Sequence, residues 1–126
     1  MTKKITIAID AMGGDNSPDK TINGLNIFLK KNASNNDFLI NLFGDEKKIQ
    51  DKLDKYKIIS NNINIVHADS VVSDEETPLT AVKNSRNTSM WNCIRSQIEG
   101  DSDISLSAGN TGVLLVISRM ILKMMD

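Results

Sequence analysis

Ile5-Thr6-Ile7-Ala8-Ile9, a short apolar run, leads straight into Asp10-Ala11-Met12-Gly13-Gly14-Asp15-Asn16-Ser17-Pro18. Two carboxylates and a glycine pair at the carboxyl end of a strand make a candidate ligand turn, because open α/β sheets hold ligands at that edge. Gly13 and Gly14 can adopt positive φ at no steric penalty, so backbone N–H groups there can turn toward a bound anion. Asp10 and Asp15 repel an anion, and are expected to orient a neighbouring amide or basic group, or to fix the turn. The same residues also make a plain strand-to-helix bend, and the turn alone does not separate the two readings. A second candidate, Ala108-Gly109-Asn110-Thr111-Gly112, again sits between a strand and a helix, where helix-end amides favour an anion. Asn110 and Thr111 add neutral donors there, and both are also common helix caps.

Other chemistry-bearing residues lie between these two turns. Lys83 and Arg86 are three apart and share a face if their stretch is helical. They can clamp a phosphate, arginine as a fork and lysine as a point charge, or simply form a solvated basic face. Thr88 and Ser89 either cap the next helix or donate to the same anion. His67 ends a strand on the expected ligand edge, as a general acid, an oxyanion donor, or a satisfied structural histidine. Cys93 falls mid-helix beside Trp91 and Ile94 and is expected to pack in the core.

These positions require alternating strands and helices. Apolar runs predict strands at Ile5–Ile9, Phe38–Phe43, Ile63–Val66 and Ile104–Ser107. Helices are expected from a start at Asn16 or Ser17 with Pro18 at or near the first helical position (with Ile22, Leu25, Ile27, Phe28 and Leu29), from Asp45-Glu46 (with Ile49, Leu53 and Tyr56), from Pro78, and from Thr88 to Glu99 with Gly100 as the stop. The last, Val113 to Met125, has almost no polar face. It is shorter than the ~20 apolar residues that span a bilayer, and Arg119 and Lys123 interrupt it, so it is expected to be a core helix. With no further strand before Asp126 to cover it, a partner chain or a longer protein is implied, and truncation is the favoured expectation. Four β-α units predict a doubly wound parallel sheet with right-handed crossovers.

At 126 residues the chain builds one core, and 40% hydrophobic with 25% charged residues is ordinary for a globular protein. A net charge of −1 argues against a dedicated nucleic-acid binder. One cysteine excludes an intrachain disulfide, and one histidine beside it makes a structural zinc site improbable. Met1-Thr2-Lys3-Lys4 followed by a short apolar run is not a signal peptide, so a cytoplasmic location is expected.

Four ordered segments together resemble the PlsX-type phosphate acyltransferases of bacterial phospholipid synthesis. They are Ile9-Asp10-Ala11-Met12-Gly13-Gly14-Asp15-Asn16; Phe43-Gly44-Asp45-Glu46; Ile65-Val66-His67-Ala68; and Thr88-Ser89-Met90 with Ser107-Ala108-Gly109-Asn110-Thr111-Gly112. The resemblance implies that residues 1–126 are the N-terminal part of a single α/β phosphate acyltransferase domain, similar in fold to isocitrate and isopropylmalate dehydrogenases. It implies acyl transfer from acyl carrier protein to inorganic phosphate, in a homodimer. A membrane-bound glycerol-3-phosphate acyltransferase would consume the acyl-phosphate, which allows a peripheral place at the membrane. No metal or nucleotide cofactor is implied. The site implied has His67 and Asn110 as catalytic residues. Asp10, Gly13, Gly14, Asp15, Asn16, Lys83, Arg86, Ser89, Gly109, Thr111 and Gly112 hold phosphate or substrate. Asn84, Ser85 and Asn87 stand where the family carries more basic residues and an aspartate, and Val113 replaces a smaller residue. The competing expectation is a non-catalytic fragment of a split or decayed gene. A nucleotide- or phosphosugar-binding domain is a third, but the first turn lacks a G-x-G-x-x-G fingerprint.

Overall fold

Runs of isoleucine, leucine and phenylalanine fit a pleated, buried surface. They form β1 (Ile5–Asp10), β2 (Phe38–Gly44), β3 (Ile63–His67) and β4 (Ile104–Ser107). The computed structural model describes residues 4–13, 16–31, 37–59, 61–68 and 88–107. The strands make one parallel sheet in the order β3-β2-β1-β4. Ile7 pairs with Ile40 on one side and Ile104 on the other, while Asp10 pairs with Phe43 and Ser107. Gly44 pairs with His67 at the far edge. The chain therefore steps outward from β1 to β3, then returns to lay β4 on the other side of β1. This is the partial doubly wound α/β arrangement expected from the sequence.

Three helices join the strands among the described residues: α1 (Asp19–Lys31), α2 (Glu46–Lys55) and α3 (Ser89–Ile98). α1 begins one residue after Pro18, with Lys20 N–H donating to Asn16 O at 3.0 Å and Ile22 N–H to Pro18 O at 2.9 Å. Its buried stripe is narrower than expected. Ile22 and Leu25 are buried, whereas Ile27 and Phe28 stay exposed, Phe28 still meeting Phe38 edge-on at 5.3 Å. Asp45 caps α2 by accepting from Lys48 N–H at 3.1 Å. Thr88 caps α3 by accepting from Trp91 N–H at 3.1 Å, and Gly100 takes φ 83° just past its end, at the expected stop.

Strand alternation sorts the core into two layers. Phe38, Ile40 and Leu42 of β2 pack with Ile22 and Leu25 of α1 and with Ile49 and Leu53 of α2. On the opposite face Ala8 and Phe43 pack against Cys93 of α3. The expected helices at Pro78 and Val113–Met125, and the turn at 108–112, lie outside the described residues.

Candidate functional site

The carboxyl ends of the strands are Asp10, Gly44, His67 and Ser107, and strand order reverses between β1 and β4. In an open α/β sheet the loops leaving two such strands part in opposite directions and leave a crevice for ligand. Asp10 stands at that crevice with 2% of its surface exposed. Its carboxylate accepts the Met12 N–H at 3.1 Å and the Ser107 hydroxyl at 2.9 Å. One bond fixes the turn after β1, and the other ties the end of β1 to the end of β4.

The first turn is held from several sides. Ala11 N–H donates to Phe43 O at 2.9 Å, and the Ser17 hydroxyl donates to Gly13 O. Gly13 is buried, while Asn16 is exposed in the left-handed region at φ 59°, where asparagine is favoured among non-glycine residues. Gly44 lets Met12 lie across it. A Cβ there would collide with Met12 Cγ and stand 3.1 Å from Ile49 Cδ1.

α3 approaches the same crevice from the other face. Its far end leads through Asp103, whose N–H donates to Thr6 O at 2.7 Å near the start of β1, so its first turn points at the carboxyl rim. Cys93 Sγ lies 3.7 Å from Leu106 O. Burial pushes its thiol up to about 12, helped by the nearby Asp10 charge. Ser89 precedes Cys93 by one helical turn on the same side. It is fully buried, and its Oγ has no hydrogen-bond partner.

The structure places Asp10 at the end of β1, Gly13 in the turn that follows, Asn16 just before α1 and Ser89 at the start of α3. It does not bring His67 to the end of β1. β3 stands two strands from β1, about 10 Å by sheet spacing, and His67 Nδ1 accepts the Glu46 N–H of α2 at 3.1 Å. Gly14, Asp15, Lys83, Arg86, Gly109, Asn110, Thr111 and Gly112 lie outside the described residues. Ser107 was not among the expected site residues. Its hydroxyl becomes meaningful only once β4 is known to pair with β1, and no local pattern near Ser107 carries that information.

An open cavity of about 470 Å³ lies elsewhere, along α3 and β2, lined by Asn41, Phe43, Arg95 and Glu99 among others. Arg95 is already paired with Glu99 at 2.7 Å, and the cavity does not include Asp10, Ser89 or Ser107. The crevice at the strand reversal is therefore the better candidate. Among the described residues no group of three or more His, Cys, Asp or Glu could hold a metal ion. No described helix is long and apolar enough to cross a membrane.

Residues 5–126 match the family described as fatty acid synthesis protein. The chain is 46% identical over 126 residues to a phosphate acyltransferase of Pelagibacter ubique, covering 100% of this chain and 36% of the relative. It is 38% identical to a phosphate acyltransferase of Parvibaculum lavamentivorans, over 99% of this chain and 34% of the relative. A phosphate acyltransferase of Ehrlichia ruminantium is 37% identical over 118 residues, 94% of this chain and 35% of the relative. The chain spans about a third of the length of these curated relatives.

Proposed function

The chain belongs to the fatty acid synthesis protein family, and from that premise we propose that it takes part in acyl transfer to inorganic phosphate. The supporting observation is the match to phosphate acyltransferases along the whole chain. A phosphate oxygen attacks the carbonyl carbon of an acyl thioester carried by acyl carrier protein. A C–O bond forms, the C–S bond breaks, and the sulfur leaves as a thiol after taking up the proton released by phosphate. The products are acyl-phosphate and free carrier protein.

Such a reaction needs donors around the phosphate and around the oxyanion that develops on the thioester carbonyl. The proposed cradle is the crevice at the strand reversal. Asp10 positions the turn through its two hydrogen bonds. The residues proposed to hold phosphate or substrate are Gly13, Gly14, Asp15 and Asn16, together with Gly109, Asn110, Thr111 and Gly112. Lys83 and Arg86 neutralise phosphate charge. His67, two strands away with Nδ1 accepting the Glu46 N–H, is left out of this cradle. A homodimer, a cytoplasmic location and delivery of acyl-phosphate to a membrane-bound glycerol-3-phosphate acyltransferase complete the proposal.

The test is incubation of the purified protein with acyl-[acyl carrier protein] and phosphate, with hydroxylamine present to trap acyl-phosphate as hydroxamate. Hydroxamate that rises with phosphate and requires the thioester is the expected result. An intact thioester after prolonged incubation, or hydroxamate that forms without phosphate, defeats the proposal.

A further inference from the structure

We propose that the groove between α1 and the β1–β4 half of the sheet holds the alkyl chain of a fatty acyl group, with the carbonyl end at the strand-reversal crevice. Only the chemical class of the ligand rests on the functional reading above; the groove itself follows from packing. Strand alternation turns Ile7 and Ile9 of β1 toward α1, and their partners across the ladder, Ile104 and Leu106 of β4, face the same way. α1 packs over Ile9 and β2 on this face, while Ile104, Leu106 and Phe28 stay exposed. Beside them lies a groove of about 230 Å³ with an almost wholly apolar lining. Ile7, Ile9 and Leu106 contribute from the sheet, and Thr21, Gly24 and Phe28 among others from α1.

The dimensions of the groove select its occupant. From Thr21 to Phe28 the helix advances about 10 Å at 1.5 Å per residue. A volume of about 230 Å³ along that length leaves a cross-section of roughly 20 Å². A helix, about 10 Å across with its side chains, is too wide to enter, whereas a single alkyl chain fits. An apolar cavity of roughly 150 Å³ already takes up benzene, so this space is ample for a run of methylenes.

Gly24 points to the same use. It stands inside α1, where glycine is a poorer helix former than any residue but proline. A Cβ added there would meet nothing within 4 Å, so no close approach of the described residues requires it. A side chain at this position would instead enter the groove, which the glycine keeps open. The groove is also rightly placed. Ile9 and Leu106 are partners in the ladder one residue below Asp10 and Ser107, whose hydrogen bond joins the ends of β1 and β4. A chain with its tail toward Phe28 therefore brings its carbonyl up to the rim.

Binding is read from the fluorescence of cis-parinaric acid mixed with the purified chain, and from its displacement by straight-chain carboxylates from hexanoate to dodecanoate. Parinarate should bind, and displacement should strengthen with length by up to about fourfold per methylene, as for burial of a CH₂ group. Gly24→Leu fills the groove and should weaken parinarate and dodecanoate about tenfold or more. The variant should melt no lower than the natural chain, since leucine is the better helix former. Asn23→Leu, which adds the same side chain at the exposed neighbouring position, should bind as the natural chain does. The proposal fails if parinarate does not bind, if affinity is indifferent to chain length, or if Gly24→Leu binds as tightly as the natural chain. It fails equally if the natural chain is a dimer that Gly24→Leu separates, because a second copy then fills this face. Groove-dependent binding without acyl-phosphate formation would sink the transfer reaction and leave the groove standing. Transfer that Gly24→Leu leaves unchanged for long and short acyl chains alike would do the reverse.

Discussion

Asp10 is a charged side chain held out of water, and its two hydrogen bonds define what each substitution removes. An asparagine can turn its oxygen to the Met12 amide and its NH₂ to the Ser107 oxygen, whose hydroxyl rotates to accept. Only charge assistance is then lost, and Asp10→Asn is expected to lower stability by about 1 kcal/mol. Asp10→Ala strands both donors and should lower it by about 2–4 kcal/mol. Urea unfolding with an unchanged slope measures both, and equal losses would mean that the bonds do not hold the rim. Cys93 gives the second expectation at this scale. Its folded thiol ionises near 12 against 9.0 for an ordinary one. A raised thiol pKa means the folded state keeps a proton that the unfolded state sheds. The resulting stability is complete below pH 9 and is lost as pH climbs toward 12. Native protein at pH 8 should therefore resist a disulfide-exchange reagent that labels it fully in denaturant, and Cys93→Ala should flatten the alkaline fall in stability. Cys93 was legible as a core residue because its apolar helix neighbours imply burial. Ser107 was not legible as a partner of Asp10, since the two are 97 positions apart.

α2 and α3 end in the same way with different residues. In α3 the Asp101 N–H reaches back to Ser96 O at 2.8 Å and the Gly100 N–H to Gln97 O at 3.3 Å, with Gly100 in the left-handed region. In α2 the Ile58 N–H reaches Leu53 O at 2.9 Å and the Lys57 N–H reaches Asp54 O at 3.1 Å, but the left-handed residue is Lys57, at φ 56°. Both are Schellman closures, which favour glycine at this position. A left-handed non-glycine residue costs about 1–2 kcal/mol, part of which glycine returns through its freer unfolded chain. Lys57→Gly is expected to raise stability by about 0.5–1 kcal/mol, read from the urea midpoint. The sequence announced the stop at Gly100 and gave no such mark at Lys57, so the end of α2 was placed only through its run of lysines. α1 and α2 are further tied by Asp19, which accepts from Lys55 Nζ at 3.0 Å, from Tyr56 Oη, and more distantly from Lys52 Nζ at 3.4 Å. The Lys55 hydrogen bond, followed by that of Tyr56, holds the Asp19 carboxyl below its ordinary 3.8. A lowered carboxyl pKa contributes stability above the unfolded value and loses it as pH falls through the folded one. Asp19→Asn should therefore narrow the difference in thermal midpoint between pH 7 and pH 3, while high salt weakens the tie in the natural chain. No spacing rule in the sequence pairs Asp19 with residues 36 and 37 positions away.

Whole-molecule organisation follows from the position of each strand rather than from its composition. Four apolar runs separated by helical stretches were enough to foresee a parallel α/β sheet, because continuous apolar runs need a covering layer on each face. The order β3-β2-β1-β4 was not available from the same runs, as all four have similar residues and any pair of them could lie at the centre. That order dictates a gradient of stability. β1 and β2 are each paired on both sides, whereas β3 and β4 each pair on one side among the described residues. The edges also bury less: Ile104 and Leu106 are 45% and 53% exposed, while Ile40 and Leu42 are at 1% and 0%. Local opening releases little buried surface at the edges and nearly the whole core at the centre. Native-state hydrogen exchange should accordingly find the slowest amides in β1 and β2, opening only with global unfolding, and measurably faster ones in β4. Leu42→Ala, which removes a fully buried side chain beneath α1 and α2, should lower global stability by about 2–5 kcal/mol. Protection in β1 and β2 should drop by that same amount, whereas β4, already opening by a cheaper local route, should change less. Equal protection across all four strands, or a drop confined to β2, would show that the reversal of strand order does not divide this sheet into a stable centre and a labile rim.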